Sequence, residues 1–158
     1  MTTASPKYKQ LAQDLDAFLN EHLPLARAAG IEIDAYDGAC LQVSAPLALN
    51  INDKGTAFGG SLYNLSVIAA WGITDLKAKE LKLLGDIVVA KGEINYLRPL
   101  RSRLVAQAFA PDQAMLEKAM HSYAARGKAV FSIQVEIRDE HQQLCVEFTG
   151  KYAVLKPD

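Results

Sequence analysis

The segment from Gly60 to about Lys82 constrains the fold more than any other part of the sequence. It contains no proline, and its first half carries apolar residues at most positions: Leu62, Leu65, Val67, Ile68, Ala69, Ala70, Trp71 and Ile73. A surface helix confines such residues to one stripe, whereas a helix that is apolar on all sides has to be enclosed by protein. The sequence therefore predicts a long central helix with the rest of the chain packed around it.

Strand patterns on both sides of this helix predict the sheet that would enclose it. Apolar residues alternate with polar ones in several runs, which is the period of a half-buried β-strand. The runs form three predicted hairpins, at residues 31–45, 87–109 and 129–154, with turns at Asp37-Gly38, Leu97-Arg98-Pro99 and Asp139-Glu140. One buried helix with five or six antiparallel strands is an α+β layout.

Three further helical segments complete the predicted organisation. Ser5-Pro6 is a favourable helix start and is followed by an apolar stripe, and a shorter helix at residues 25–29 ends at Gly30. Asp112 is placed to cap a helix that ends at Gly127. No repeat or linker interrupts the chain, so we expect a single domain over residues 1–158 with an N-terminal helical extension at about residues 6–29.

Composition excludes several classes of function. The 17 basic and 18 acidic residues give a net charge of −1, which does not favour binding to nucleic acid or to an anionic membrane. No apolar run reaches the ~20 residues of a membrane span, and no secretion signal is evident, so we expect a cytoplasmic protein. Neither Cys40 and Cys145 nor the three histidines have metal-ligand spacing, and no cofactor is indicated.

A motif at the start of the predicted central helix resembles a known family. Asn52-x-x-Gly55-Thr56-x-Phe58-Gly59-Gly60 is similar to the N-x-x-G-T-x-H-G-G signature of hot-dog thioesterases. Residues 50–63 more narrowly resemble the thioesterase domain of the YiiD C-terminal type, and the resemblance spans about residues 24–155. It implies a hot-dog fold, in which an antiparallel β-sheet wraps around a long central α-helix. It also implies a homodimer with composite sites, and leaves a tetramer open.

The resemblance implies hydrolysis of an acyl thioester carried by coenzyme A or by an acyl-carrier protein. That reaction needs a donor for the developing oxyanion and a group that orients or deprotonates water. The free amides of Gly59 and Gly60 at the helix start suit the first task. Asn52 matches the family asparagine that positions water or the thioester. Asp53 is the candidate base, with a purely structural turn as the alternative reading.

Other residues of the segment are expected to contact the substrate. Ser61 lacks a neighbouring histidine, so we expect it to bind rather than to act as a nucleophile. Arg98, together with Arg126 and Lys128, is a candidate contact for the phosphates of coenzyme A. The predicted substrate-binding residues are Asn50, Thr56, Phe58, Ser61, Tyr63, Asn64 and Arg98.

Two departures from the family pattern support a second hypothesis. The signature histidine is replaced by Phe58, and the carboxylate that many relatives carry nine residues later is replaced by Val67. Neither side chain can transfer a proton, so a non-catalytic protein that binds or senses acyl thioesters is the alternative. A hot-dog dehydratase or hydratase ranks last, because the loop and the central helix contain no histidine.

Overall fold

The computed structural model describes residues 4–158, in which a six-stranded antiparallel sheet has the order β1-β2-β4-β5-β6-β3. None of the helices in that part of the chain is long and apolar enough to cross a membrane. The elements are α1 (Pro6–His22), α2 (Pro24–Ala28), β1 (Glu32–Tyr36), β2 (Cys40–Ala45), a 3-10 turn (Leu47–Leu49), α3 (Gly59–Glu80), β3 (Asp86–Tyr96), β4 (Leu104–Phe109), α4 (Gln113–Arg126), β5 (Lys128–Arg138) and β6 (Leu144–Leu155).

Helix α3 is the enclosed element that the sequence predicted. It contacts β2, β3, β4, β5 and β6, and Leu65, Ile73 and Leu76 on it are fully buried. The sheet contributes the facing side chains Phe131 and Tyr152, which are also fully buried. The α+β layout is therefore confirmed, and burial of apolar side chains holds most faces of α3 against the rest of the protein. One stripe of the helix stays partly exposed, at Asn64, Val67, Trp71, Asp75 and Lys79.

The predicted hairpin between residues 87–96 and 104–109 is wrong. Strand β3 pairs with β6, whereas β4 lies between β2 and β5. Burial explains the difference: Leu104, Ala106 and Ala108 of β4 are fully buried and need neighbours on both sides, while Val89 of β3 is 51% exposed and tolerates an edge. The connection between the two strands carries the chain from the sheet edge to its middle.

The N-terminal helices α1 and α2 begin and end close to the predicted residues. The Ser5 hydroxyl accepts from the amide of Tyr8, and Asp112 caps α4 by accepting from Met115. Helix α1 packs against β1, where the Asp16 carboxylate accepts from the amide of Ile33 at 2.8 Å. The extension is thus bonded to the edge of the sheet as well as packed on it.

Candidate active site at the N-terminus of the central helix

The first turn of α3 presents free backbone donors. Phe58 occupies the N-cap position and its side chain makes no capping bond. Within residues 4–158, no acceptor bonds the amides of Gly59, Gly60 or Ser61, and the first bonded amide is that of Leu62, which donates to Phe58 O at 3.0 Å. Free amides at a helix start carry partial positive charge, so they can stabilise an anion or a developing oxyanion.

Glycine at position 60 leaves room for the Phe58 ring beside the first turn of α3. A Cβ atom at Gly60 would collide with the Phe58 ring, so a larger residue would push the ring away. The ring is 55% exposed and fills the place of the family histidine. The N-terminal end of α3 (residues 58–61, the mouth of α3) therefore carries an apolar group that neither gives nor takes a proton in the place of the histidine.

Asn52 organises the loop that precedes the helix. Its Oδ1 accepts from the amides of Lys54 (2.8 Å) and Thr56 (3.1 Å), and its Nδ2 donates to Thr56 Oγ1 at 2.8 Å. An amide oxygen has two lone pairs and an amide nitrogen two hydrogens. The oxygen is fully used, so the Asn52 side chain retains one N–H with which to bind a ligand and no free acceptor.

Asn50 holds the same loop from the inside. The residue is buried, and its Nδ2 donates to Ala29 O and to Pro46 O, both at 2.8 Å. The backbone carbonyl oxygen of Asn50 accepts from the backbone amide of Phe58 at 2.7 Å. Both hydrogens of the Asn50 side-chain amide are thus bonded within the protein, and the backbone of Asn50 fixes the position of Phe58, the N-cap residue of α3.

Asp53 lies at the tip of the loop. Its carboxylate is 79% exposed and forms an ion pair with Lys54 Nζ at 2.9 Å. The following Gly55 has a φ of +76°, as a tight turn requires. In the isolated chain this geometry matches the turn interpretation, while the base interpretation depends on a substrate or a second chain covering the carboxylate.

Three tyrosines lie along the N-terminal half of α3, and two of them bond to it. The hydroxyl of Tyr96 donates to Gly59 O at 2.9 Å, and that of Tyr152 donates to Val67 O at 3.0 Å. Burial, with a smaller effect from nearby Tyr63, raises the pKa of both phenols. Both hydroxyls therefore remain donors over the neutral pH range.

The third phenol, Tyr63, has no hydrogen-bond partner among residues 4–158. Its ring packs edge-on against Phe148, with 5.6 Å between the ring centroids. Its hydroxyl lies over Gly92 of β3, so closely that a Cβ atom there would collide with it. Tyr63 thus combines a partly exposed side chain with an unused donor, one helical turn from the free amides.

The sequence of residues 12–156 matches the profile of the family described as "Putative thioesterase (yiiD_Cterm)". The chain belongs to this family. A protein of unknown function from Chlorobaculum tepidum TLS is 38% identical, with a TM-score of 0.90 over 94% of this chain and 96% of the other. A "putative thioesterase" from Shewanella oneidensis is 30% identical, with a TM-score of 0.80 over 93% and 99%.

A thioesterase from Haemophilus influenzae shares the fold at 21% identity, with a TM-score of 0.69 over 92% of this chain and 90% of the other. The hot-dog fold and the family that the motif predicted are thereby confirmed. Most predicted residues of the YiiD C-terminal motif lie in the loop before α3 and in its first two turns. Ser61 and Asn64 are partly buried there, and Thr56 is buried.

The basic residues predicted to contact the phosphates of coenzyme A lie at two opposite ends of the sheet. Arg98 is exposed and follows Tyr96, and its backbone amide donates to Cys145 O at 3.2 Å, so it lies at the end where α3 begins. Lys128 pairs with Leu155 at the opposite end, beside the first residue of β3. The ten residue steps of β3 separate the ends by about 33 Å, so Arg126 and Lys128 do not join the α3 mouth within one chain.

Sequence reasoning did not identify Tyr96, Tyr152 or Gly92 in this YiiD C-terminal family member. They reach the site by strand pairing, at 37 and 85 residues from the helix atoms that the two hydroxyls bond. Gly92 carried a usable signal, because a glycine inside an apolar strand often marks a close approach by another group. No group of three or more His, Cys, Asp or Glu side chains in the described residues could hold a metal ion.

Proposed function

We propose that this protein hydrolyses an acyl thioester, carried by coenzyme A or by an acyl-carrier protein, to a free acid and a thiol at the mouth of α3. The observation that supports this most directly is the set of free amides at Gly59, Gly60 and Ser61, on the same helical turn as Tyr63, whose hydroxyl is also unbonded in the described residues. The proposal treats residues 1–158 as one hot-dog unit with a helical extension.

The role assigned to each group follows from the hydrogen-bond donors and acceptors that it does not use within the protein. Water adds to the thioester carbonyl, and the amides of Gly59 and Gly60 stabilise the oxyanion that forms. The remaining Nδ2 hydrogen of Asn52 orients the carbonyl or the water. Asp53 is the proposed base because it is the only carboxylate between residues 46 and 64. A thiolate leaves without needing a proton, which lessens the demand for a general acid.

The edge strand β3 supports the homodimer part of the proposal. It is 11 residues long, lies at one end of the sheet order, and exposes Val88 and Val89. A long edge strand with unpaired backbone groups can pair with another strand. In an antiparallel pair of β3 strands, the Tyr96 end of one chain lies beside the Asp86 end of the other. The second copy would then cover the mouth of α3, including the exposed side of the loop.

Thiol release from a panel of acyl-CoA and acyl-carrier-protein esters tests the hydrolysis. Asn52→Ala and Asp53→Asn should each lower kcat/KM by roughly a hundredfold or more if they act as assigned. Glu140→Gln is the matched control, because Glu140 is a 70% exposed carboxylate in a different turn. Absence of turnover on every ester would exclude hydrolysis, and unchanged rates in both variants would exclude these residue roles.

A second function, binding or sensing of acyl thioesters without turnover, is favoured by the chemistry of the mouth. Phe58 and Val67 replace the two family groups that could move a proton, and Asp53 is solvent-exposed. Calorimetric titration with a non-hydrolysable acyl-CoA thioether, combined with the thiol assay, separates the two functions. Binding without thiol release supports the sensor, and thiol release excludes it.

A further inference from the structure

A groove lies between α4 and the face of the sheet that points away from α3. Val130, Ser132 and Lys151 line its sheet side. Side chains alternate along a strand, and the intervening Phe131 and Tyr152 are buried towards the core, where Tyr152 bonds to α3. The groove therefore opens on the outer face. Its volume is about 670 Å³, within the ~300–1,000 Å³ range of small-molecule sites.

The charge of this groove has a single sign. Lys118, Arg126 and Lys151 line it together with His121, and no Asp or Glu does. None of the three cations forms an ion pair with another residue in the described part of the chain. They repel one another in a chain whose net charge is −1, so a bound anion would relieve a local excess of positive charge.

Another groove of the molecule shows a different charge pattern. It lies between α1 and β1, has a volume of about 410 Å³, and combines Lys9 with the carboxylates Asp16 and Asp34. Opposite charges there compensate one another. The uncompensated cations of the α4 groove are consequently a local feature, contributed by a helix and a strand that are distant in sequence.

The lining of the α4 groove also includes apolar side chains. Met115, Ala119 and Val130 contribute to it, and Val130 is 44% exposed. Methionine sulfur packs well against flat aromatic rings. A lining that combines apolar side chains with cations matches a ligand that has a flat base at one end and phosphates at the other.

We propose that the α4 groove binds a phosphorylated nucleoside, either as a free nucleotide or as the nucleotide end of coenzyme A. Lys118, Arg126 and Lys151 bind the phosphate oxygens, with the guanidinium able to make two parallel bonds. The base lies over Met115 and Val130. Binding here rests on the groove alone and does not require the hydrolysis proposed for the mouth of α3.

Calorimetric titration with adenosine 3′,5′-bisphosphate tests this site in the full-length protein. Lys118→Gln, Arg126→Gln and Lys151→Gln should each weaken binding roughly three- to tenfold, as for loss of one charge-assisted contact. Lys9→Gln in the α1 groove is the matched control and should bind as the wild type does. Adenosine should bind at least tenfold more weakly, and added salt should weaken the bisphosphate but not adenosine.

Coenzyme A, titrated in parallel, identifies the source of the nucleotide. Tighter binding of coenzyme A than of the bisphosphate supports the carrier, and equal binding supports a free nucleotide. Three results would overturn the proposal: no heat of binding at about 1 mM bisphosphate, equal affinity for adenosine, or unchanged affinity in all three groove variants. Because the titration needs no turnover, a protein that binds nucleotide but releases no thiol would overturn only the proposed hydrolysis.

Discussion

The phenol of Tyr96 donates a hydrogen bond of 2.9 Å to the carbonyl oxygen of Gly59, and so joins the edge strand β3 to the first residue of the central helix. This bond fixes the direction of the peptide plane next to the free amides. It also ties the helix mouth to the strand proposed to pair with a second copy.

Tyr96→Phe should lower activity by misplacing the Gly59 and Gly60 amides, while substrate binding changes little. The net value of such a bond is about 0.5–1.5 kcal/mol, so kcat should fall roughly two- to tenfold with KM nearly constant. Tyr123→Phe is the matched control, because its hydroxyl also donates to a backbone carbonyl, that of Leu84, away from the α3 mouth. Steady-state kinetics of both variants checks this, and equal effects on kcat would contradict it.

Gly92→Ala should displace Tyr63, since the new methyl group would collide with its hydroxyl. We expect a loss of stability of about 1–3 kcal/mol from overpacking, together with reduced activity. Adding Tyr63→Phe removes the colliding oxygen, so the double variant should regain part of the lost stability. Urea denaturation of the two single variants and the double variant measures the coupling energy. Simple additivity would show that the two groups do not touch.

Alkaline titration should reveal tyrosines that ionise late. Of the six tyrosines, three have a pKa that burial raises above its usual value: Tyr36, Tyr96 and Tyr152. Tyr36 also donates to Glu80 at 2.9 Å, and that carboxylate further disfavours the phenolate. The absorbance step at 295 nm near pH 10 should therefore be smaller in the native protein than in the denatured protein.

The same shifts set the sign of the pH effect on stability. A raised pKa means that the folded state binds more protons than the unfolded state above about pH 10, so the free energy of unfolding falls as the pH rises there. Below that value the contribution is complete and constant. Tyr36→Phe and Tyr152→Phe should flatten this alkaline loss in urea denaturation series. An unchanged slope in both variants would contradict the assignment.

Lysines introduced by substitution into the edge strand β3 should dissociate the proposed dimer. Val88→Lys combined with Val89→Lys places two like charges at each contact, which disfavours strand pairing between copies. Sedimentation velocity should then show monomers where the wild type shows dimers. Leu25→Lys is the control, because Leu25 is a 67% exposed apolar residue on α2, outside the edge. A monomeric wild type would contradict the pairing directly.

Local sequence signals predicted most of this fold. Caps, glycine stops and apolar periodicity depend on residues within one or two turns, so Ser5, Asp112 and Gly127 gave helix ends close to the observed ones. The partners of β3 did not follow from such signals. Strand pairing depends on burial across the whole sheet, and adjacency in sequence led to the wrong hairpin with β4.

The same distinction between local signals and strand pairing applies to the residues of the candidate site. Its loop and helix start form one continuous motif, which a family signature identifies residue by residue. Tyr96 and Gly92 belong to β3. They contact α3 only because β3 pairs with β6 and packs against that helix. The role of the Asn50 side-chain amide was not predictable either, because one of its two acceptors, Ala29 O, lies at the end of α2, 21 residues earlier in the chain.

The contact between Asn50 and Ala29 connects the helical extension to the start of α3. The Asn50 side chain bonds to Ala29 O, the cap of α2, while its backbone bonds to Phe58 at the entrance to α3. A displacement of residues 24–29 by a neighbouring molecule or by an attached domain would pull on this amide and shift the glycine donors. The position of the amides proposed to bind the oxyanion therefore depends on a residue whose side chain is bonded to the helical extension.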